Sequence, residues 1–279
     1  MPRAGGVGKP LSMGRFDFIE SAASGYRFLM LQHELVGRMM LVPLLVKITS
    51  FVVITALALD DNYLRQGLML IPSFFFEGWL VAQLARLAIF EEDVSALLTG
   101  DRRKDMEILH TRFRAVMAAT LIYVLTKLVI SFVSGLALQA NGGYQNTAAA
   151  VEPSSGGFLA AFIALGIAIW SFRYLWLYIP AALDYPMEDF LKRIRSFKVS
   201  VLMIATWMLC FIPLALMFMM ISEVLVSIFP ADASGEVSMT YRYIMVCVQA
   251  VLELLITIVS SVAMAYGLSS FYKKGQKRR

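Results

Sequence analysis

The feature that most constrains this chain is the recurrence of long apolar runs. Crossing about 30 Å of hydrocarbon at 1.5 Å per residue takes about 20 mostly apolar residues. Six segments meet that length: Met39–Leu59, Gly67–Phe90, Ala115–Leu138, Phe158–Ala182, Val199–Phe229 and Tyr243–Phe271. Lipid offers backbone N–H and C=O groups no partners, so each run is read as a helix. Pro213, inside the fifth run, removes a backbone donor and predicts a kink there. Composition agrees with the runs: 59% of the 279 residues are hydrophobic and 16% charged, against about 25% charged in soluble domains. Two cysteines are too few for a disulfide scaffold.

Orientation follows from the cations. Nineteen of the 25 Lys and Arg residues fall in residues 1–38, 91–114, 183–198 and 272–279, while the three alternate connections hold only Arg65 and Arg242. This asymmetry places both termini in the cytoplasm. It also explains the pI of about 9.2 without nucleic acid, because cations near membrane ends meet anionic lipid heads. The apolar run nearest the N-terminus is already of spanning length, so no cleavable signal peptide is expected.

Three segments that precede spans are amphipathic. In the first, Phe16, Ile19, Ala23, Tyr26 and Met30 recur at spacings of three and four, the pattern of a helix lying on a membrane surface. Met106, Leu109 and Phe113 precede the third span beside Arg112 and Arg114. Met187, Phe190, Leu191 and Ile194 precede the fifth beside Lys192, Arg193, Arg195 and Lys198. The last two align at a constant shift, Met106-Glu107 on Met187-Glu188 and Arg112-Phe113-Arg114 on Arg193-Ile194-Arg195. Two readings stand: three repeated units of surface helix plus hairpin, or basic turns of the kind that precede spans generally. The expected organisation is all-α: an amphipathic segment over 1–38, a six-span domain over 39–271 and a basic tail over 272–279.

Lys47, Glu77, Lys127, Arg173, Glu223 and Glu253 lie well inside the apolar runs. Each costs about 2.5–3.5 kcal/mol at the centre of a spanning helix, so each is expected to face the bundle interior and find a partner. Counted from the cytoplasmic boundary, Glu77 and Lys127 fall at roughly 18–20 Å, and Lys47 and Arg173 at roughly 12–14 Å. Glu253 joins the upper pair if its helix leaves the hydrocarbon near Tyr266. The charged layer is therefore Lys47, Glu77, Lys127, Arg173 and Glu253, with Glu77 and Lys127 the first pairing to test. It serves either as a structural network or as a proton or transport path. Glu223, nearer the outer face, is either hydrated or opposite Arg242.

Other constellations carry less chemistry. Small residues line the fourth run at Gly157, Ala161, Ala164 and Ala168, and the sixth at Ser260, Ala263, Gly267 and Ser270; such stripes let helix backbones approach. Trp176 and Tyr178 suit an interfacial belt. No nucleotide, zinc, haem or nucleophile motif occurs, and no aspartate falls within a span, so neither catalysis, a metal nor a cofactor is expected.

Arg173, Pro180-Ala181-Ala182-Leu183, the short basic segment Met187–Lys198 and the ending from Ala265-Tyr266-Gly267 to Phe271-Tyr272-Lys273-Lys274 resemble the six-helix bacterial proteins grouped with the glycerophosphoryl diester phosphodiesterase membrane domain. The stretch from Glu77-Gly78-Trp79 to Gly100 is compatible with that layout. The resemblance implies the six-span architecture. It carries no catalytic residue, because no phosphodiesterase domain accompanies it. The expected function is non-enzymatic: engagement of membrane phospholipid or of a membrane-protein partner at the cytoplasmic face, through Arg112, Arg114, Lys192, Arg193, Arg195 and Lys198. The alternative is a small secondary transporter using the charged layer.

Overall fold

The computed structural model describes residues 16–57, 59, 63–91, 101–140, 166–229 and 238–272. Every regular element among them is helical. In chain order these are α1 (Phe18–Leu31), α2 (His33–Ala56), α3 (Tyr63–Met69), α4 (Ile71–Phe90), α5 (Arg102–Ala140), a 3₁₀ helix (Phe172–Trp176), α6 (Tyr178–Ala182), α7 (Met187–Arg193), α8 (Phe197–Ile228) and α9 (Met239–Tyr272). Five of them, α2, α4, α5, α8 and α9, are long and apolar enough to cross a membrane. The chain is a multi-pass membrane protein built of helices.

The fourth apolar run differs from the other five. Its first residues, and with them Gly157, Ala161 and Ala164, lie outside the described residues, as do the connection 141–157 and the tail 273–279. From residue 166 onward it is not one straight helix: residues 166–171 are helical, the 3₁₀ helix follows, and α6 holds Pro180. Pro180 has no N–H to give to a helical ladder, and a 3₁₀ stretch winds more tightly than an α-helix. The helical winding therefore tightens over Phe172–Trp176 within this run.

Local chemistry explains the remaining boundaries. Asp17 caps α1, its Oδ1 accepting from the N–H groups of Ile19 at 3.0 Å and Glu20 at 3.1 Å. Pro72 sits in the first turn of α4, where its missing N–H costs nothing, and so sets the start at Ile71 in place of Gly67. Pro213 lies within α8 without ending it. The stretch around Met106–Arg114, expected to be a separate surface helix, continues unbroken into the span as α5. Its counterpart α7 is a separate short helix, with a break at residues 194–196 before α8.

Helix α4 is the centre of the bundle. Of its most apolar window 61% is buried, against 17% for α8 and 22% for α2 and α5. One core joins Val81, Ala82 and Ala85 to Val116, Ala119 and Tyr123 of α5 and to Ile179 and Ala182 of α6. A second joins Leu80, Leu84 and Ala88 to Val36 of α2, Phe28 of α1 and Leu254, Ile258 and Val262 of α9.

The amphipathic helix α1 enters this bundle by a face of small residues. Ser21, Ala22 and Gly25 are buried with Phe28, and a Cβ on Gly25 would stand 2.6 Å from the carbonyl oxygen of Val259. Only glycine lets α1 approach α9 this closely. The stripe expected to lie on the membrane divides: Phe16 is buried and Tyr26 half-buried, while Ile19, Ala23 and Met30 stay exposed. The Tyr26 hydroxyl donates to the Cys210 carbonyl oxygen of α8 at 2.7 Å. The small residues Ala263 and Gly267 of α9 thus serve internal packing.

Candidate functional site

The intramembrane charges sort into a sealed group and an open one. Glu77 is fully buried on α4, and each of its carboxylate oxygens is satisfied. Its Oε1 accepts from Lys47 Nζ at 2.7 Å and from Ser73 Oγ at 3.0 Å, and its Oε2 from the Tyr123 hydroxyl at 2.9 Å. Three helices supply these groups: α2 gives Lys47, α4 gives Glu77 and Ser73, and α5 gives Tyr123. Gly78 makes the third possible. A Cβ there would meet Tyr123 Cβ at 3.1 Å and Thr120 Cα at 3.2 Å, so a larger residue would hold α5 away from Glu77. A buried ion pair in which both partners are hydrogen-bonded can repay its desolvation; one stripped of a partner cannot.

Lys47 is shared. Its Nζ also lies 3.0 Å from Glu253 Oε2 of α9, and Gln249, one turn away, donates to Glu253 Oε1 at 2.8 Å. The two carboxylates differ in exposure: the Glu77 side chain is inaccessible, whereas that of Glu253 is 42% exposed. Lys47 thus bridges a sealed acid and an accessible one.

Lys127 departs from the pairing expected of it. Among the described residues no carboxylate stands within ion-pair distance of its Nζ, which lies 5.4 Å from the Tyr123 ring centroid. The reason is geometric: Lys127 and Tyr123 are one turn apart on α5, and Tyr123, together with Lys47 from α2, takes the lone pairs of Glu77. Lys127 points instead to a cleft of about 320 Å³ between α5, α8, α9 and the 3₁₀ segment. Lys47, Tyr123 and Glu253 line it too, with Trp207 and Phe211 of α8, Thr257 and Ser261 of α9, and Phe172, Trp176 and Tyr178.

Arg173 stands apart from the Lys47 group. Its Nη1 donates to the Ile194 carbonyl oxygen at 2.7 Å and its guanidinium lies 4.1 Å from the Trp170 ring centroid. It therefore ties the 3₁₀ segment to the end of α7. Trp176 and Tyr178, expected at an interfacial belt, are buried at 6% and 3% exposure. Both pack into the core of the bundle, where the Tyr178 hydroxyl shares a hydrogen bond with Ser261 Oγ at 2.8 Å. The sequence reading had missed this pair as cleft residues, along with Trp207, Phe211 and the Glu77 ligands Ser73 and Tyr123. Ser73, four residues before Glu77 on one helix face, was the signal available.

Of the cations expected to meet lipid, Arg114, Arg193, Arg195 and Lys198 are exposed. Arg112 donates to Gln83 Oε1 of α4 at 3.0 Å, and Lys192 pairs with Glu188 at 2.7 Å. Glu223 is exposed and makes no ion pair with Arg242 among the described residues. Among those residues no cluster of His, Cys, Asp and Glu is arranged to hold a metal. The chain matches no family model, no curated protein and no solved structure.

Proposed function

We propose that this protein is a small secondary transporter of the bacterial inner membrane, with six spans, both termini cytoplasmic and no catalytic activity. The observation that carries the reading is the position of Lys47 between the sealed Glu77 and the half-exposed Glu253. An accessible carboxylate coupled through one ammonium to a buried one is a proton-responsive arrangement beside a cleft. The charged and titratable groups around it are Lys47 from α2, Glu77 from α4, Tyr123 and Lys127 from α5, and Tyr178 from α6; α8 contributes Trp207 and Phe211. When Glu253 takes a proton from water in the cleft, its half of the Lys47 pair weakens and Lys47 keeps Glu77. The site gains one positive charge, and its attraction for an anion beside Lys127 rises. Release of that proton on the other side reverses the change.

A carbodiimide, which reacts with protonated carboxyl groups accessible from the bilayer, tests the coupling site. In the protein reconstituted into lipid nanodiscs, peptide mapping is expected to show an adduct at Glu253, distinct from any at the exposed Glu223, increasing as pH falls and lost in Glu253→Gln. Glu77 is expected to stay unlabelled. A Glu253 that is inert at every pH would sink the proton-coupled reading.

A second reading rests on a separate observation. Exposed Phe113, Leu191 and Phe197 accompany exposed Arg114, Arg193, Arg195 and Lys198, the combination by which a surface engages anionic phospholipid. Inert carboxylates together with co-purifying anionic lipid, lost on neutralising these four cations, would favour it.

A further inference from the structure

The cleft brings one ammonium, Lys127, together with a lining rich in aromatic rings. We propose that it takes a small amphiphile bearing a single carboxylate, its head group on Lys127 and its apolar body against the α8 rings Trp207 and Phe211. This rests on the transporter reading above and names the substrate class for its site.

Three observations lead there. Every acceptor of the two intramembrane acids is engaged elsewhere: Glu77 by Lys47, Ser73 and Tyr123, and Glu253 by Lys47 and Gln249. Lys127, a three-proton donor with no acceptor, is left facing the cleft among the described residues. A buried ammonium ordinarily finds an acceptor, so one left facing a cleft marks an acceptor's place. The α8 part of the lining is apolar, with the Trp207 and Phe211 rings stacked at 5.0 Å and 15°.

Charge and size set the class. One ammonium matches the single charge of a carboxylate, whereas a phosphomonoester dianion would leave a charge unmatched in a low-dielectric site. A volume of about 320 Å³ corresponds to about ten waters at ~30 Å³ each, room for a phenylalkyl or medium-chain acid. Such an acid has two sources, the aqueous phase or the bilayer.

The test uses the full chain in phosphatidylcholine nanodiscs at fixed pH, titrated with 4-phenylbutyrate and decanoate as probes and with decanol and decylamine as controls. Tryptophan fluorescence and the melting transition report binding. Saturable quenching and a raised Tm with either acid, absent with both controls, are expected. Lys127→Met should weaken acid binding tenfold or more, and Lys127→Arg should restore most of it. A response to phenylbutyrate but not decanoate assigns an aqueous substrate, and the converse a bilayer one. Equal binding of decanol, or acid binding unchanged in a folded Lys127→Met, overturns the proposal. If acids fail to bind while carbodiimide still labels Glu253, the substrate class is wrong and the coupling reading stands. If acids bind through Lys127 while Glu253 is inert, the reverse holds.

Discussion

Lys47 and Lys127 are the same residue, each midway along an apolar helix, and they meet opposite fates. Lys47 is 3% exposed, with carboxylates at 2.7 and 3.0 Å. Lys127 is half-buried, lies 5.4 Å from the Tyr123 ring centroid and borders a cleft. A fully partnered charge holds helices in register. An unpartnered one is costly to keep, which makes Lys127 the place to look for a ligand.

The sealed side gives the largest expected effect. Glu77→Leu strips Lys47 of its buried partner and orphans Tyr123 and Ser73, so a loss of about 3–5 kcal/mol is expected. It would be read as a collapse of monodisperse protein in detergent and a lower Tm. Combining Glu77→Gln with Lys47→Met should recover much of that loss, because a neutral pair carries no desolvation penalty. If the double variant is worse than Glu77→Leu, the sealed pair is not what stabilises this side.

Gly78→Val ranks next. The new side chain forces α4 and α5 apart at Tyr123 and Thr120, an overpacking cost of about 1–3 kcal/mol measurable as a Tm shift. Full stability in this variant would mean that the two helices are not in the close contact on which the Tyr123–Glu77 bond depends.

The open side is expected to respond least. Lys127→Met should leave the stability within about 0.5 kcal/mol of the parent or raise it, since no carboxylate loses a partner, and the Tm checks it. A Lys127→Met variant as unstable as Glu77→Leu would erase the contrast between the two lysines. Trp176→Phe deletes the unpartnered N–H but also one ring of a buried core side chain, so the cavity cost is partly offset and a net loss of no more than about 1 kcal/mol is expected, read as a small Tm shift.

Much of this was legible without coordinates. Charged side chains in apolar runs are costly whatever the fold, so Lys47, Glu77, Lys127, Arg173 and Glu253 could be singled out from composition and position alone. Their pairing could not. Depth, counted at 1.5 Å per residue, supplies one coordinate, and it set Glu77 beside Lys127. The rotation of each helix about its axis and the order of helices around α4 supply the others, and these hand Glu77 to Lys47 and Tyr123. Arg173 was placed in the layer by the same count; the 3₁₀ turn carries it to Ile194.

The amphipathic segment makes the same point. Its spacing of three and four was enough for a helix, and Asp17 was enough to start one. Which face would be buried was not, because Ser21, Ala22 and Gly25 are inconspicuous until a second helix with its own small residues lies against them.

The sequence by itself therefore determined that this is a helical protein crossing a membrane several times, because the cost of leaving backbone and charge unsatisfied in hydrocarbon is paid locally, residue by residue. Only the tertiary structure decided which lysine is bound and which faces a cleft, because that depends on distances of about 3 Å between side chains from three or four different helices, and no one-dimensional pattern carries them.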